Sequence, residues 1–168
     1  MGKLSLGAQY IAAGMNIYTL RRDGEPLCIR LDGSDLSLTV EPDAWCGGDR
    51  HAITFRVPMW IAQVFAGIEY RCRPLLEADV PTIHAQWLGN VRPSGTHFAI
   101  LKAKINMCGP RAAKFYDDTN KPTKPPASWH GLRPDVIVHA RCVCVQKQSI
   151  GLVLEVTNVR YRDNMCPF

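Results

Sequence analysis

The amino-acid sequence predicts a β-dominated fold, a barrel of short strands with one helix. Three observations carry this prediction. Several short runs alternate apolar and polar residues between Gly, Pro, Asp and Asn turns. One stretch places apolar residues at helical spacing, and strands do not alternate with helices as in βαβ units. At 168 residues and 46% apolar content, the chain can bury its own core, and we expect residues 1–168 to form a single domain.

The first half begins with strand signals. Residues 17–31 contain two short runs that flank Asp23-Gly24, a hairpin signal because glycine tolerates a positive φ in the turn. A short alternating run follows at 36–40, and residues 51–57 alternate again. We expect strands in each of these runs.

One helix is predicted at residues 58–70. Pro58 suits a helix start, and the residues that follow form a single apolar stripe, which we assign to the core: Trp60, Ile61, Val64, Phe65 and Ile68. Residues 71–95 hold three prolines and no clear period. A short strand or a short helix within an insertion is compatible with that segment.

The last third contains the longest strand candidates. Residues 97–107 form one of them, and residues 135–161 form a hairpin around the polar turn QKQS. Between them, residues 108–134 form a long basic connection with five prolines. Connections of this length in compact domains are often functional.

The net charge of +5 is unevenly distributed. Residues 101–168 hold 11 basic and 5 acidic side chains, whereas residues 1–100 hold 9 and 10. This asymmetry favours an anionic partner. The alternative is a soluble protein whose C-terminal part is modestly basic.

Basic and aromatic residues interleave in the C-terminal third, which is typical of a surface that binds single-stranded nucleic acid. Phosphates would be neutralised and bases stacked by these candidates: Lys102, Lys104, Arg111, Lys114, Phe115, Tyr116, Lys121, Lys124, Trp129, Arg133 and Arg141. Trp129 is the strongest aromatic candidate, because no apolar period assigns it to the core. The alternative is that Phe98 and Phe115 pack in the core while the lysines are merely solvated.

No catalytic set and no metal site is predicted. GxSxG, P-loop, HExxH and GxGxxG motifs are absent, as is any CxxC pair. In a regular strand, Cys142 and Cys144 would share the inward face with Val136, Val138 and Ala140, so we expect them to fill the core. Asp117-Asp118 is more typical of a turn than of a cation site. We expect no cofactor.

Seven cysteines, an odd number, together with a polar N-terminus and no long apolar run, favour a reducing intracellular compartment and no membrane contact. A thiol- or metal-dependent enzyme stays an alternative, testable by metal analysis.

The chain contains four segments of note: LKAKI (101–105), FYDDTNKP (115–122), residues 132–160 and residues 51–70. Their order and spacing resemble the single-stranded DNA-binding proteins of large DNA viruses, whose core is related to T7-type phage single-strand-binding proteins. The resemblance implies an OB-fold-like, partly open barrel with one short helix and a long basic loop. The nearly neutral tail, which ends at Phe168, departs from the acidic tail of the phage proteins.

The resemblance also implies a non-enzymatic protein that coats single strands of DNA, or RNA, during viral-type replication, recombination or repair. It would act in the host nucleus or at a cytoplasmic replication site, self-associating or joining a replication complex. A second function remains open. A structural, capsid- or complex-associated β-domain could dock through the Pro-rich loop, because polyproline segments bind at low entropic cost.

Overall fold

The computed structural model describes residues 2–38, 40–44, 49–79 and 85–162. Trp45, Cys46 and the tail from 163 to Phe168 lie outside these residues. In the described part, twelve strands form one sheet beside a single helix. The elements are β1 Leu4–Ala12, β2 Met15–Arg22, β3 Glu25–Leu31, β4 Ser37–Leu38, β5 Asp43–Ala44, β6 Arg50–Pro58, α1 Met59–Asp79, β7 Gln86–Leu88, β8 Val91–Pro93, β9 Phe98–Asn106, β10 Lys114–Tyr116, β11 Asp135–Val145 and β12 Ser149–Arg160.

The sheet is mixed and open, in the order β1-β2-β3-β11-β12-β9-β6-β4. Strand β12 pairs with β11 in antiparallel fashion and with β7, β9 and β10 in parallel. The fold class predicted from the sequence, a β-dominated, partly open OB-like barrel with one helix, is confirmed. Among the described residues, no helix is long and apolar enough to cross a membrane.

The predicted turn at Asp23-Gly24 joins β2 to β3. Both residues have positive φ angles, 52° and 85°, as a tight hairpin turn requires. A second hairpin joins β1 to β2 through Ala13 and Gly14, with φ angles of 50° and 74°. This second turn was not predicted, because alanine seldom adopts a left-handed conformation.

Helix α1 is longer than the predicted 58–70. Cys72 and Leu76 extend its buried side beyond Tyr70, while the exposed Pro74 is accommodated within the helix. Their burial beside Ile61 and Phe65 places one apolar stripe of α1 against the sheet. The assignment of Trp60 and Val64 to the core was wrong, because they lie beside that stripe and are 57% and 45% exposed. Residues 71–95 therefore contain the end of the helix and the short strands β7 and β8.

A β-bulge at Arg141 interrupts the alternation of β11. Ala140 pairs with Leu154 and Cys142 with Val153, which leaves Arg141 as the extra residue on its strand. Val143 and Val145 consequently join Val138 and Ala140 in the core, and Cys142 and Cys144 lie on the other side of the sheet. Cys142 is buried as predicted, at 5% exposed, and Cys144 is half-buried. The prediction that both share the inward face with Val138 and Ala140 was wrong, because a single inserted residue exchanges the two faces.

The 108–134 connection is fastened to the barrel. Strand β10 adds to β12, and the N–H of Thr123 donates to the carbonyl of Phe115 at 2.9 Å. The hydroxyl of Tyr161 donates to the Lys124 carbonyl at 2.6 Å.

The Glu41 carboxylate accepts from the N–H groups of Trp129 and His130 and from the Ser128 hydroxyl. Asp117 accepts from the N–H groups of Thr119 and Lys121, which confirms the predicted turn.

Candidate nucleic-acid interface

One side of the sheet carries a concentration of positive charge. Alternation along the strands turns one set of residues toward the core and α1, and the other set away from them. On β6, for example, Ile53, Phe55 and Val57 are buried while Arg56 is exposed. Seven cations on the outward side of β3, β6, β9, β11 and β12 define what we call the basic face: Arg30, Arg50, Arg56, Lys102, Lys104, Arg141 and Arg160.

Glu155 lies at the centre of the basic face. Its side chain is only 2% exposed, and it stands in register with Lys104 on β9 and His139 on β11. Arg141 Nη1 donates to Glu155 Oε1 at 3.1 Å, and Arg50 Nη2 lies 3.9 Å from Glu155 Oε2. Partial burial and the nearby Arg50 lower the pKa of Lys104 below its usual value. The centre is therefore a dense group of cations around one carboxylate.

Asp135, the first residue of β11, is the second carboxylate of the basic face. Both Arg160 Nε, at 2.9 Å, and Arg160 Nη2 donate to its Oδ2. Arg30 Nη2 lies 3.9 Å from the same oxygen, and the Gly33 N–H donates to Asp135 Oδ1 at 2.8 Å. Both carboxylates on the basic face are thus engaged by arginines, so the face keeps a surplus of five positive charges, seven minus two.

Two open cavities meet at Arg160 and Asp135. One, of about 340 Å³, is also lined by Arg30, Tyr116 and Asn158. The other, of about 600 Å³, is lined further by Arg133 and Arg162 along with Asp118 and Tyr161. Because the two cavities share both residues, they lie next to each other at the edge of the basic face.

Phe98 and Tyr116 lie on the outward side of the sheet. Phe98 points the same way as Lys102 on β9, and the guanidinium carbon of Arg56 stands 3.6 Å from the centre of its ring. Tyr116 lies beside Arg160, to which it is paired in register. Both are partly exposed, so each presents ring surface near cations.

Five of the predicted nucleic-acid residues come together on this side of the sheet. Lys102, Lys104 and Arg141 belong to the basic face, and Lys114 and Tyr116 flank it on β10. Arg133 lines the second cavity. The loop positions Arg111, Lys121 and Lys124 are exposed but belong to no strand of the face.

Phe115 and Trp129 do not face solvent. They are 6% and 4% exposed, and their rings pack edge to face with centroids 5.9 Å apart. The expectation that Trp129 lies outside the core was wrong, because Glu41 anchors the backbone of the loop so that the indole is directed inward. Neither ring is available for stacking on a base in this conformation.

Four cations of the basic face were missed by the sequence reasoning: Arg30, Arg50, Arg56 and Arg160. Three of them precede residue 100, where the overall charge balance is slightly acidic. The alternation in RHAITFRV was a usable signal, because it places Arg50 and Arg56 opposite the buried Ile53 and Phe55.

The cysteines of the face were also displaced from their expected side. Cys142 and Cys144 Sγ atoms lie 3.9 Å apart, and both belong to the five free thiols of the described residues. No group of three or more His, Cys, Asp or Glu side chains that could hold a metal ion occurs in the described part of the chain.

No protein-family model matches the chain, and no curated protein does. Among solved structures, the chain is similar to the crystal structure of gp2.5, a single-stranded DNA-binding protein encoded by bacteriophage T7. The TM-score is 0.46, with 10% sequence identity over 82% of this chain and 86% of that chain. A likeness this distant concerns the path of the backbone, so the charges and contacts of the basic face carry the functional argument.

Proposed function

We propose that this protein binds single-stranded nucleic acid, with DNA as the expected partner, through the basic face and without catalysing a reaction. One observation carries the proposal. Seven cations converge on one side of the sheet, and the two acids among them are each engaged by two arginines. A surplus of this kind is the electrostatic footprint of a polyanion-binding surface.

Binding would be driven by neutralising phosphates and releasing condensed counterions. For single strands, each neutralised phosphate contributes about 0.7 to the slope of log K against log salt. The exposed Lys102 and the partly exposed Lys104 and Arg50 stand close together at the centre of the face. A nucleic-acid strand lying across β6 and β9 would meet all three cations, Arg50 on β6 and Lys102 and Lys104 on β9.

Phe98 and Tyr116 would supply the stacking surfaces that the sequence had assigned to Phe115 and Trp129. Base stacking on aromatic side chains contributes about 1–3 kcal/mol per base and accepts every base. Phe98 is the first residue of β9, and Tyr116 lines the first cavity. We therefore infer sequence-tolerant binding, as expected of a protein that coats single strands in replication, recombination or repair.

The test is fluorescence anisotropy with labelled oligo-dT at increasing salt concentration. The unchanged chain should bind with a negative salt slope, and the Lys102→Gln, Lys104→Gln double variant should reduce the magnitude of that slope by about 1.4. Arg73→Gln is the matched control, because Arg73 is exposed on α1, on the other side of the sheet. Phe98→Ala should weaken binding without changing the slope.

Absent or salt-independent binding contradicts the proposal, as does an equal loss for Arg73→Gln and the double variant. Competition by unlabelled duplex, single-stranded DNA and RNA then ranks the partners. Competition by duplex as strong as by oligo-dT would contradict single-strand selectivity.

Docking through the Pro-rich loop is supported less well by the contacts. A docking arm has to be free to adopt an extended shape, whereas this loop is held by Glu41, Tyr161 and the buried Trp129. The structural β-domain is therefore the weaker interpretation, and stoichiometric co-purification with a partner in the absence of nucleic acid is the result that would favour it.

A further inference from the structure

Two thiols are held side by side on the basic face by the bulge at Arg141. Cys142 and Cys144 both lie on the outward side of β11, with their Sγ atoms 3.9 Å apart. A disulfide needs its sulfur atoms about 2.0 Å apart. The approach required is about 2 Å, which side-chain rotation and local strand adjustment could supply.

The space next to Cys144 is open. Cys144 pairs with Gly151 on β12, and nothing lies within 4 Å of the position where a Cβ on Gly151 would be. On its other side Cys144 pairs with Ile17 of β2. Cys144 is only half-buried, whereas Cys142 is 5% exposed. A small reagent can therefore reach Cys144 first, over the missing side chain of Gly151.

Charge around the pair favours a thiolate on Cys144. The hydrogen bond with Cys142, together with the nearby Lys104 and Arg50, lowers the pKa of Cys144 below its usual value. The same hydrogen bond, together with burial, raises the pKa of Cys142. The other charged groups facing the pair are Arg141 and, beyond it, Glu155. Cys144 is therefore the nucleophile of the pair, and Cys142 is placed to attack a mixed disulfide formed on Cys144.

We propose that Cys142 and Cys144 form a thiol modification site that reacts reversibly with low-molecular-weight disulfides such as glutathione disulfide. The Cys144 thiolate attacks one sulfur of the reagent, its S–S bond breaks, and one thiolate leaves and takes up a proton. Cys142 then loses its proton and attacks Cys144 Sγ, which expels the second thiolate. Two protein thiols are oxidised to one disulfide and one reagent disulfide is reduced to two thiols.

This inference does not depend on nucleic-acid binding, because geometry and thiol chemistry alone carry it. It bears on the proposed function in one respect. A glutathione adduct on Cys144 would place its carboxylates next to Arg50 and Lys104, which are cations of the basic face.

The experiment uses the full chain with Cys28, Cys46, Cys108 and Cys166 replaced by serine, so that only the pair and the buried Cys72 remain. Intact mass is followed after addition of glutathione disulfide near neutral pH. We expect a transient single adduct, then a product that has lost two hydrogens, and full recovery with dithiothreitol. Cys142→Ser should stop at the adduct, and Cys144→Ser should react far more slowly.

A lasting adduct while Cys142 is present overturns the proposal, as does a Cys144→Ser variant that reacts as fast as its parent. Gly151→Val tests the route of access. Its side chain grows into open space and suits a strand, so the fold should persist, verified by urea unfolding. The reaction should slow about tenfold because the approach is blocked, and an unchanged rate contradicts the assigned site. In denaturing urea both chains should react equally.

Discussion

Arg141 Nη1 donates to Glu155 Oε1 at 3.1 Å, and this contact joins the bulge of β11 to the one fully buried carboxylate of the basic face. The donor stands on the residue that the bulge adds to the strand. Arg50 approaches the other carboxylate oxygen, 3.9 Å away. A phosphate that binds Arg141 or Arg50 must therefore compete with Glu155, which moderates the attraction of the face for polyanions.

Replacement of Glu155 by glutamine should strengthen binding to oligo-dT. Arg141 and Arg50 would lose their internal anion and become available to phosphates, and one additional contact would steepen the salt slope by about 0.7. The same change should cost about 1–3 kcal/mol of unfolding free energy, because a charge-assisted hydrogen bond is lost. Anisotropy titrations and urea unfolding measure the two effects.

The control for that change is Asp118→Asn, which removes an exposed ion pair with Arg162 whose atoms lie 3.8 Å apart. Exposed pairs contribute little to stability, so its unfolding midpoint should be nearly unchanged. Weaker binding by Glu155→Gln would show that the carboxylate organises the arginines rather than competing for them.

Val143→Thr and Cys144→Ser should have very different costs although the two residues are neighbours. Val143 is fully buried in the core, so a hydroxyl there lacks a partner and should cost about 1–3 kcal/mol. Cys144 lies on the outward side and is half-buried, so serine should cost clearly less. Urea unfolding of the two variants distinguishes them. The opposite order would mean that the strand runs without the bulge.

Trp129→Ala should destabilise the fold by about 3–5 kcal/mol, because the indole is 4% exposed and packs on Phe115. Trp129→Phe should lose less, since it retains an aromatic ring in the same space. At temperatures where both variants are folded, their affinity for oligo-dT should equal that of the unchanged chain. A selective loss of binding with unaltered stability would show that the Trp129 indole belongs to the binding surface and not to the core. Thermal unfolding and anisotropy provide the two readouts.

Acidification below pH 6.5 should lower the stability of the folded state through the titration of His139. Burial and the nearby Arg141 hold the pKa of His139 below its usual value of 6.5. Above pH 6.5 the imidazole is neutral in both the folded and unfolded states. As the pH falls through 6.5, the unfolded chain takes up a proton first, so the folded state loses stability until the folded pKa is reached.

The measurement is the urea midpoint at pH 7.5 and pH 5.5 for the unchanged chain and for His139→Asn. The variant should lose less stability between these two values, because the carboxylates titrate alike in both proteins. Equal losses would show that His139 is not the titrating group.

Local signals predicted most of the scaffold. Asp23-Gly24, the alternation in 51–57 and the QKQS hairpin each depend on neighbours in sequence, and each was found where expected. The bulge at Arg141 could not be predicted, because it is defined by the pairing of β11 with β12 and leaves no local mark. The two cysteines changed faces for that reason alone.

The basic face was predicted in part for the same physical reason. The alternation within β9 is enough to predict that Lys102 and Lys104 lie on the same side of the sheet. The contribution of Arg30 depends on β3 lying beside β11, a pairing between residues about a hundred positions apart. Trp129 was misassigned because its direction is set by Glu41, which is distant in the chain and adjacent only in the fold.

The position of β12 has a consequence for synthesis. This strand pairs with β7, β9, β10 and β11, and β11 in turn pairs with β2 and β3. During translation the hairpins of the N-terminal half emerge from the ribosome without their sheet partners. The edges of these strands stay unpaired until residues 135–160 have been made, so we expect the nascent chain to fold late, because non-local strand pairing must wait for its partners.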